Sequence, residues 1–250
     1  MDHGNDQHDE SGNVLIINAA RIRVGAFKGD GMMKINIRTF EIKKDLDGAL
    51  RCFNEGFEHI LWPSMKHAKP SLHQDFIKFF YKMSTDCFVA EVDGEICGII
   101  FGAAPFKIKR ILHALLFYLL YVIPKGLVNG YGMNGLAYKH FFQLIYGYLP
   151  FFFLHPNRWP VCEVALFTSI NKYRSRGLGR SLMDRFVDTV RARSYEGTSV
   201  CTDTALSYRF YEIYGFELEK SFTQKSYKYS IPDKSFKALI YYFKIRHKKI

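Results

Sequence analysis

The chain has 250 residues, 48% of them hydrophobic and 16% aromatic, and a formal charge of +11. That is apolar material for one large core and a surface that attracts polyanions, yet no homeodomain, zinc-finger or aromatic RNA-binding signature accompanies it, so nucleic acid is not the favoured partner. Five cysteines without a C-x-x-C pair, and nine histidines without ligand spacing, argue against a disulfide frame or a metal site and for reduced thiols in a cytoplasmic protein.

Residues 1–32 are polar and glycine-rich apart from a brief apolar run, with no basic segment ahead of a long apolar one. They read as a loosely ordered extension rather than a signal peptide. Lys34–Phe40 alternates apolar and polar residues and predicts a first strand. Leu46, Leu50, Phe53 and Phe57 line one helix face, and Leu72, Phe76, Phe79 and Phe80 line another. Cys87–Val92 and Glu95–Gly102 flank Asp93-Gly94, a strong hairpin signal.

Residues 104–160 are apolar and aromatic. Phe106-Lys107-Ile108-Lys109-Arg110 leads into Ile111–Ile123, which is apolar except for His113. As a helix this run rises only about 20 Å, whereas a bilayer core asks for roughly 20 apolar residues. Leu136–Leu154 is broken by Lys139, His140, Gln143 and Pro150. The expectation is extra helices packed over the core. The second reading is an interfacial hairpin over 106–154, basic at its lip, in peripheral contact with a membrane and helped by the basic C-terminal tail.

The stretch Val161–Arg193 carries the chemistry. A short apolar run to Phe167 predicts a strand, and Arg174-Ser175-Arg176-Gly177-Leu178-Gly179-Arg180 forms a basic turn. Leu178, Leu182, Phe186 and Val190 then recur every fourth residue, an amphipathic helix. Unpaired N–H groups and the positive dipole end at a helix N-terminus, with glycines that permit close approach and arginines that fork onto phosphate, make a diphosphate cradle. It is not a Walker A loop, for no Gly-Lys-Ser/Thr closes it. Nor is it a dinucleotide fingerprint, because Leu182 stands where a third glycine belongs.

Gly197–Thr202 reads as another strand. Thr204–Gly215 reads as a helix, capped by Asp203 or Thr204 and ended by Gly215. Phe216–Phe222 and Ser226–Ile231 are candidate closing strands. Residues 232–250 place Phe236, Leu239, Ile240 and Phe243 on one side and lysines near the end, a predicted basic C-terminal helix.

The pair Arg174-x-x-Gly177-x-Gly179 and Phe210-Tyr211-Glu212-x-x-Gly215-Phe216, in this order and spacing, resembles the two signatures of the GCN5-related N-acetyltransferase (GNAT) family. The resemblance covers residues 33–231 apart from 104–160. It implies an α+β fold: a mixed, mostly antiparallel sheet flanked by helices, with 104–160 as a helical insertion between the third and fourth strands. It also implies an enzyme that transfers an acetyl or other acyl group from CoA to a primary amine by direct attack in a ternary complex, with no metal. Backbone groups of Phe167, Thr168 and Ser169 would pair with pantetheine, and Arg174, Ser175, Arg176, Gly177, Leu178, Gly179 and Arg180 would hold the pyrophosphate. Thr204 stands where many members place an asparagine that touches pantetheine.

Tyr211 matches the tyrosine that protonates the departing thiolate in many members, and its ordinary pKa of about 10 suits a neutral donor. Glu163 matches the general base of histone-acetylating members. Strand alternation points it to one face with Ala165 and Phe167, and apolar surroundings raise its pKa. A hydrogen-bonded structural glutamate and an acceptor-binding carboxylate are the other readings of that residue. The rival reading of the whole chain is a CoA-binding or membrane-docking module without catalysis.

Overall fold

The computed structural model describes residues 34–57, 68–105, 108–135, 137–139, 161–222 and 237–245. Its strands are β1 (Ile35–Thr39), β2 (Asp86–Val92), β3 (Glu95–Ala103), β4 (Cys162–Ser169), β5 (Gly197–Asp203), β6 (Glu217–Phe222) and β7 (Ala238–Lys244). They form one seven-stranded sheet in the order β1-β2-β3-β4-β5-β7-β6. Among the described residues every neighbouring pair is antiparallel except β4 with β5, which run parallel. The β2–β3 hairpin turns at Asp93 and Gly94, both at positive φ (52° and 81°), as a tight right-twisted turn requires.

Helices α1 (Ile42–Phe57) and α2 (Pro70–Met83) cover one face, where Ala49, Phe53 and Ile77 pack with Val89, Ile99, Phe101 and Leu166. On chain order α3 (Ile108–Phe117) and α4 (Ile123–Leu127) follow, then α5 (Leu178–Ala192) and α6 (Arg209–Tyr214). The α5 stripe of Leu178, Leu182, Met183, Phe186, Val187 and Val190 is buried on the opposite face, each large side chain worth about 1.5–3 kcal/mol. Two β3 glycines set how closely α5 lies. A Cβ on Gly98 would stand 2.6 Å from Leu178, and one on Gly102 would stand 1.9 Å from Phe186.

The insertion falls between β3 and β4, the third and fourth strands, as expected. Its first helix is longer than the apolar run implied. A π-helical turn at Tyr118–Val122, closed by the Ile123 N–H on the Tyr118 carbonyl, joins α3 to α4 and carries the helix past Pro124. The result is a 19-residue helix, Lys109–Leu127, with mean hydropathy 1.4, long and apolar enough to cross a membrane by length and composition. One stripe of it lies on the domain: Ala114, Tyr118 and Val122 are buried, the last two packing with Leu72 of α2. A polar lock reinforces the contact. The buried Asp75 carboxylate of α2 pairs with Lys78 (3.1 Å) and Lys125 (2.9 Å) and accepts from the Tyr131 hydroxyl (3.0 Å).

Two further expectations change. The C-terminal helix over 232–250 is wrong where the structure describes it, because Ala238–Lys244 is β7, inserted between β5 and β6. Its Leu239 and Tyr241 face one core cluster and Ala238 and Ile240 the other, so a strand buried on both faces shows a continuous apolar run that also fits helical spacing. The helix expected from Thr204 begins only at Arg209, because Asp203 Oδ1 accepts the Ala205 and Leu206 N–H groups and holds that segment as a turn. The residues 1–32, Ser226–Ile231 and 141–154 of other expectations lie outside those described.

Candidate active site

The site begins where the sheet opens. β4 pairs with β5 over Cys162–Val164 against Thr198–Val200 and no further. On its other side β4 stays paired with β3 through Ser169. The edge of β4 from Ala165 to Ser169 that faces β5 thus has no sheet partner among the described residues, and the predicted Phe167, Thr168 and Ser169 lie along it. Their backbone polar groups are those that an extended, amide-bearing ligand could pair with as an added strand.

The opening ends on the cradle. A short 3-10 turn, Asn171–Tyr173, delivers the chain to Arg174. Ser175 and Gly177 adopt positive φ (63° and 84°), after an Arg174 in the extended region (φ −61°, ψ 145°), so the loop turns sharply into the helix. The first amide to bond back into the turn at the start of α5 is that of Ser181, 3.0 Å from the Gly177 carbonyl. The amides of Ser175, Gly177, Leu178, Gly179 and Arg180 are not donated to any backbone carbonyl among the described residues. Arg174, Arg176 and Arg180 are exposed and none pairs with a carboxylate among the described residues; Arg180 lies over the Tyr214 ring, 5.6 Å from its centroid. Gly179 packs onto an aromatic floor, since a Cβ there would meet Phe167 at 3.3 Å and Phe210 at 3.5 Å.

Glu163 stands at the apex, opposite Ala103 on β3 and Ser199 on β5. A bulge corrects the expected face. Phe101 pairs with Leu166 but Gly102 pairs with Val164, so Ala165 is the extra residue and the alternation of β4 reverses there. Phe167 faces the α5 side with Ile100, while Glu163 shares the α1/α2 face with Ala103 and Phe101. The half-buried carboxyl has no hydrogen-bond or ion partner among the described residues, and desolvation pushes its pKa up to about 7.

Tyr211 is buried among Phe167, Phe210, Phe216 and Tyr241 on the α5 face. Its short helix is pinned along its C-terminal half. Tyr214 donates to Asp184 of α5 (2.7 Å), Tyr241 of β7 donates to Glu212 (2.8 Å), and Gly215 closes the helix at φ 112°. Burial, with the charges of Cys201 and Asp203, raises the phenol well above its ordinary value, so it is a neutral donor at pH 7. The Cys201 thiol in turn feels the Glu163 carboxylate. Tyr211 and Glu163 therefore stand on opposite faces of the sheet, each within electrostatic reach of Cys201 on β5.

Thr204 is engaged locally: its hydroxyl accepts the Lys237 N–H (3.0 Å) and its own N–H reaches the Lys237 carbonyl (3.0 Å), tying the end of β5 to β7. Asp203 was visible in the sequence only as a helix cap. It is buried, and desolvation pushes its carboxyl up to about 6. Burial pushes the Cys162 thiol up to about 12 and Cys201 well above its ordinary value, so neither is a ready nucleophile.

A seven-stranded, mostly antiparallel sheet that opens at its parallel pair onto an arginine-rich helix N-terminus is the GNAT fold. The acetyltransferase (GNAT) family model matches residues 54–216, and the chain belongs to that family. Membership implies acetyl transfer from CoA. Solved structures share the fold at low identity. An agmatine N-acetyltransferase variant in its apo form aligns at TM-score 0.56 and 14% identity, over 84% of this chain and 99% of that one. An N-acetyltransferase from Staphylococcus aureus Mu50 aligns at 0.51 and 15%, over 85% and 99%. A GNAT-family protein from Desulfovibrio desulfuricans aligns at 0.51 and 14%, over 84% and 99%. No curated protein sequence matches the chain.

Proposed function

We propose that the chain is an N-acyltransferase that moves an acetyl or other acyl group from CoA to a primary amine by direct attack within a ternary complex. The observation that carries this reading is the β4–β5 opening, with a free strand edge along it and free amides at its end. The residues present fit acyl-CoA: the edge of Phe167–Ser169 offers pantetheine a strand partner, and the amides of Ser175–Arg180 with the arginines offer the pyrophosphate donors and charge. The bound thioester supplies an activated acyl carbon.

Glu163, poised near neutrality on the α1/α2 face, takes the proton of the incoming ammonium or amine, directly or through water. Tyr211, neutral and fixed from the other face, gives a proton to the departing sulfur. Amine and thioester thus meet between a base and an acid; afterwards Glu163 returns its proton to solvent and Tyr211 regains one from it, and an ammonium substrate gives up one further proton to bulk water. The test follows release of the free CoA thiol from acetyl-CoA across a panel of primary amines. Amine-dependent release supports the reading. Tight CoA binding with no release above the amine-free rate would make the chain a CoA-binding module instead.

A further inference from the structure

The Lys109–Leu127 helix is apolar on two sides, and the domain covers one of them. Ala114, Tyr118 and Val122 are buried against it, while Leu112, Leu119, Leu120 and Leu127 are 52%, 55%, 73% and 68% exposed, with Ile111, Leu115 and Leu116 between them. Exposed positions recur three and four residues apart, so they form a continuous leucine ridge along a helix about 28 Å long. A soluble helix presents polar residues on its outer face. Such a ridge marks an interaction site.

Charge selects the occupant. Residues 104–160 contain six Lys and Arg and no Asp or Glu. At the α3 end of the ridge Lys109 and Arg110 are exposed, and Lys82 of α2 lies over the Phe117 ring, 5.2 Å from its centroid. A second copy of this chain would bring a like-charged ridge against this one. An anionic bilayer meets both features at once, since it takes leucines into its acyl boundary and basic residues at its headgroups.

We propose that this ridge seats the enzyme on anionic membrane surfaces, with the helix lying in the plane of the interface. A spanning orientation does not fit the packing, because the Asp75 carboxylate holds Lys125 and Tyr131 and keeps the helix broadside on α2. The docked face is then the α2 layer, on the side of the sheet that Glu163 faces.

The test is flotation of the full chain with vesicles of zwitterionic lipid alone and with one-third anionic lipid, at low and high salt. Binding to the anionic vesicles, weakened by salt, is expected. Replacing Lys82, Lys109 and Arg110 together by Gln should weaken the partition about 100-fold, at roughly tenfold or less per surface charge. Leu119→Glu with Leu120→Glu should abolish it, while circular dichroism shows an unchanged fold, as both side chains are mainly in solvent. Indifference to both vesicle types, or binding that survives the Leu→Glu pair, overturns the proposal. So does a concentration-dependent dimer in sedimentation velocity that the same pair dissolves without any vesicle binding, because the ridge would then belong to a second copy.

Discussion

The acyl-transfer half and the insertion are both built on an apolar helix, and they leave opposite groups without partners. In the first, the apolar stripe of α5 is wholly covered, and what has no partner among the described residues is charge and amide: Arg174 and Arg176, Arg180 over the Tyr214 ring, and the N-terminal N–H groups of the helix. In the second, Asp75 of α2 engages Lys125, and what remains uncovered is leucine, with Lys109 and Arg110 exposed at one end, Arg110 also donating to the Ser84 carbonyl. Folding alone satisfies neither remainder. The first fits a polyanionic, amide-bearing ligand and the second an apolar, anionic surface, so the two halves of one domain face different chemistries.

The largest effect that sharpens this contrast is at the apex. Glu163→Gln should cost about 10²–10⁴ in kcat/KM, the usual worth of a positioned base. The sign with pH follows from the raised carboxyl: below about 7 it is protonated and cannot accept, so wild-type activity should rise through about 7. In the variant that limb should vanish, and the deficit should shrink at high pH, where the amine deprotonates by itself. A pH profile with the same limb in both proteins would remove Glu163 from the proton path. Next is Tyr211→Phe, expected to lower kcat about 100-fold with CoA affinity unchanged, because the lost proton is needed only as the sulfur departs. Wild-type single-turnover rates in a folded variant would end the acid role. Smaller again is Gly177→Ala. A side chain at φ 84° is strained by roughly 1 kcal/mol, so CoA affinity measured by calorimetry should fall about fivefold. Unchanged affinity would move the pyrophosphate elsewhere.

How much of this was legible beforehand differs between the halves for physical reasons. Leu178, Leu182, Phe186 and Val190 announce α5 because one face is buried and one is wet, and the glycines announce the turn because Gly177 sits at positive φ and Gly179 packs tightly on Phe167. β7 has no wet face, so Leu239 to Phe243 carry no period that separates strand from helix. The face of Glu163 was equally hidden. Alternation assigned it to Phe167, and the one-residue bulge at Ala165 moved it across the sheet; a register shift is a property of paired strands, not of either sequence alone. The apolar run counted from Ile111 stops at Ile123, and no residue spacing signals the π-helical turn that carries the helix past Pro124.

The smallest expected effect on catalysis probes whether the halves are as separate as their free groups suggest. Asp75→Asn removes the charge that Lys78 and Lys125 share while leaving an oxygen for the Tyr131 hydroxyl. Asp75 is buried, but its lysine partners are a quarter to a third exposed and can turn to water, which puts the cost near about 1–2 kcal/mol rather than the ~3–5 of a fully enclosed pair. For a chain of this length that is a Tm lower by roughly 2–8 °C. The loss should be local. Amide hydrogen exchange should quicken over Tyr118–Tyr131, where the insertion leans on Asp75, and stay as it was over Leu178–Ala192, whose burial owes nothing to that carboxylate. CoA affinity should then hold within about twofold, since no cradle group touches the lock. Faster exchange in α5 together with weakened CoA binding would mean that the insertion braces the cradle, and the two halves would have to be read as one coupled unit.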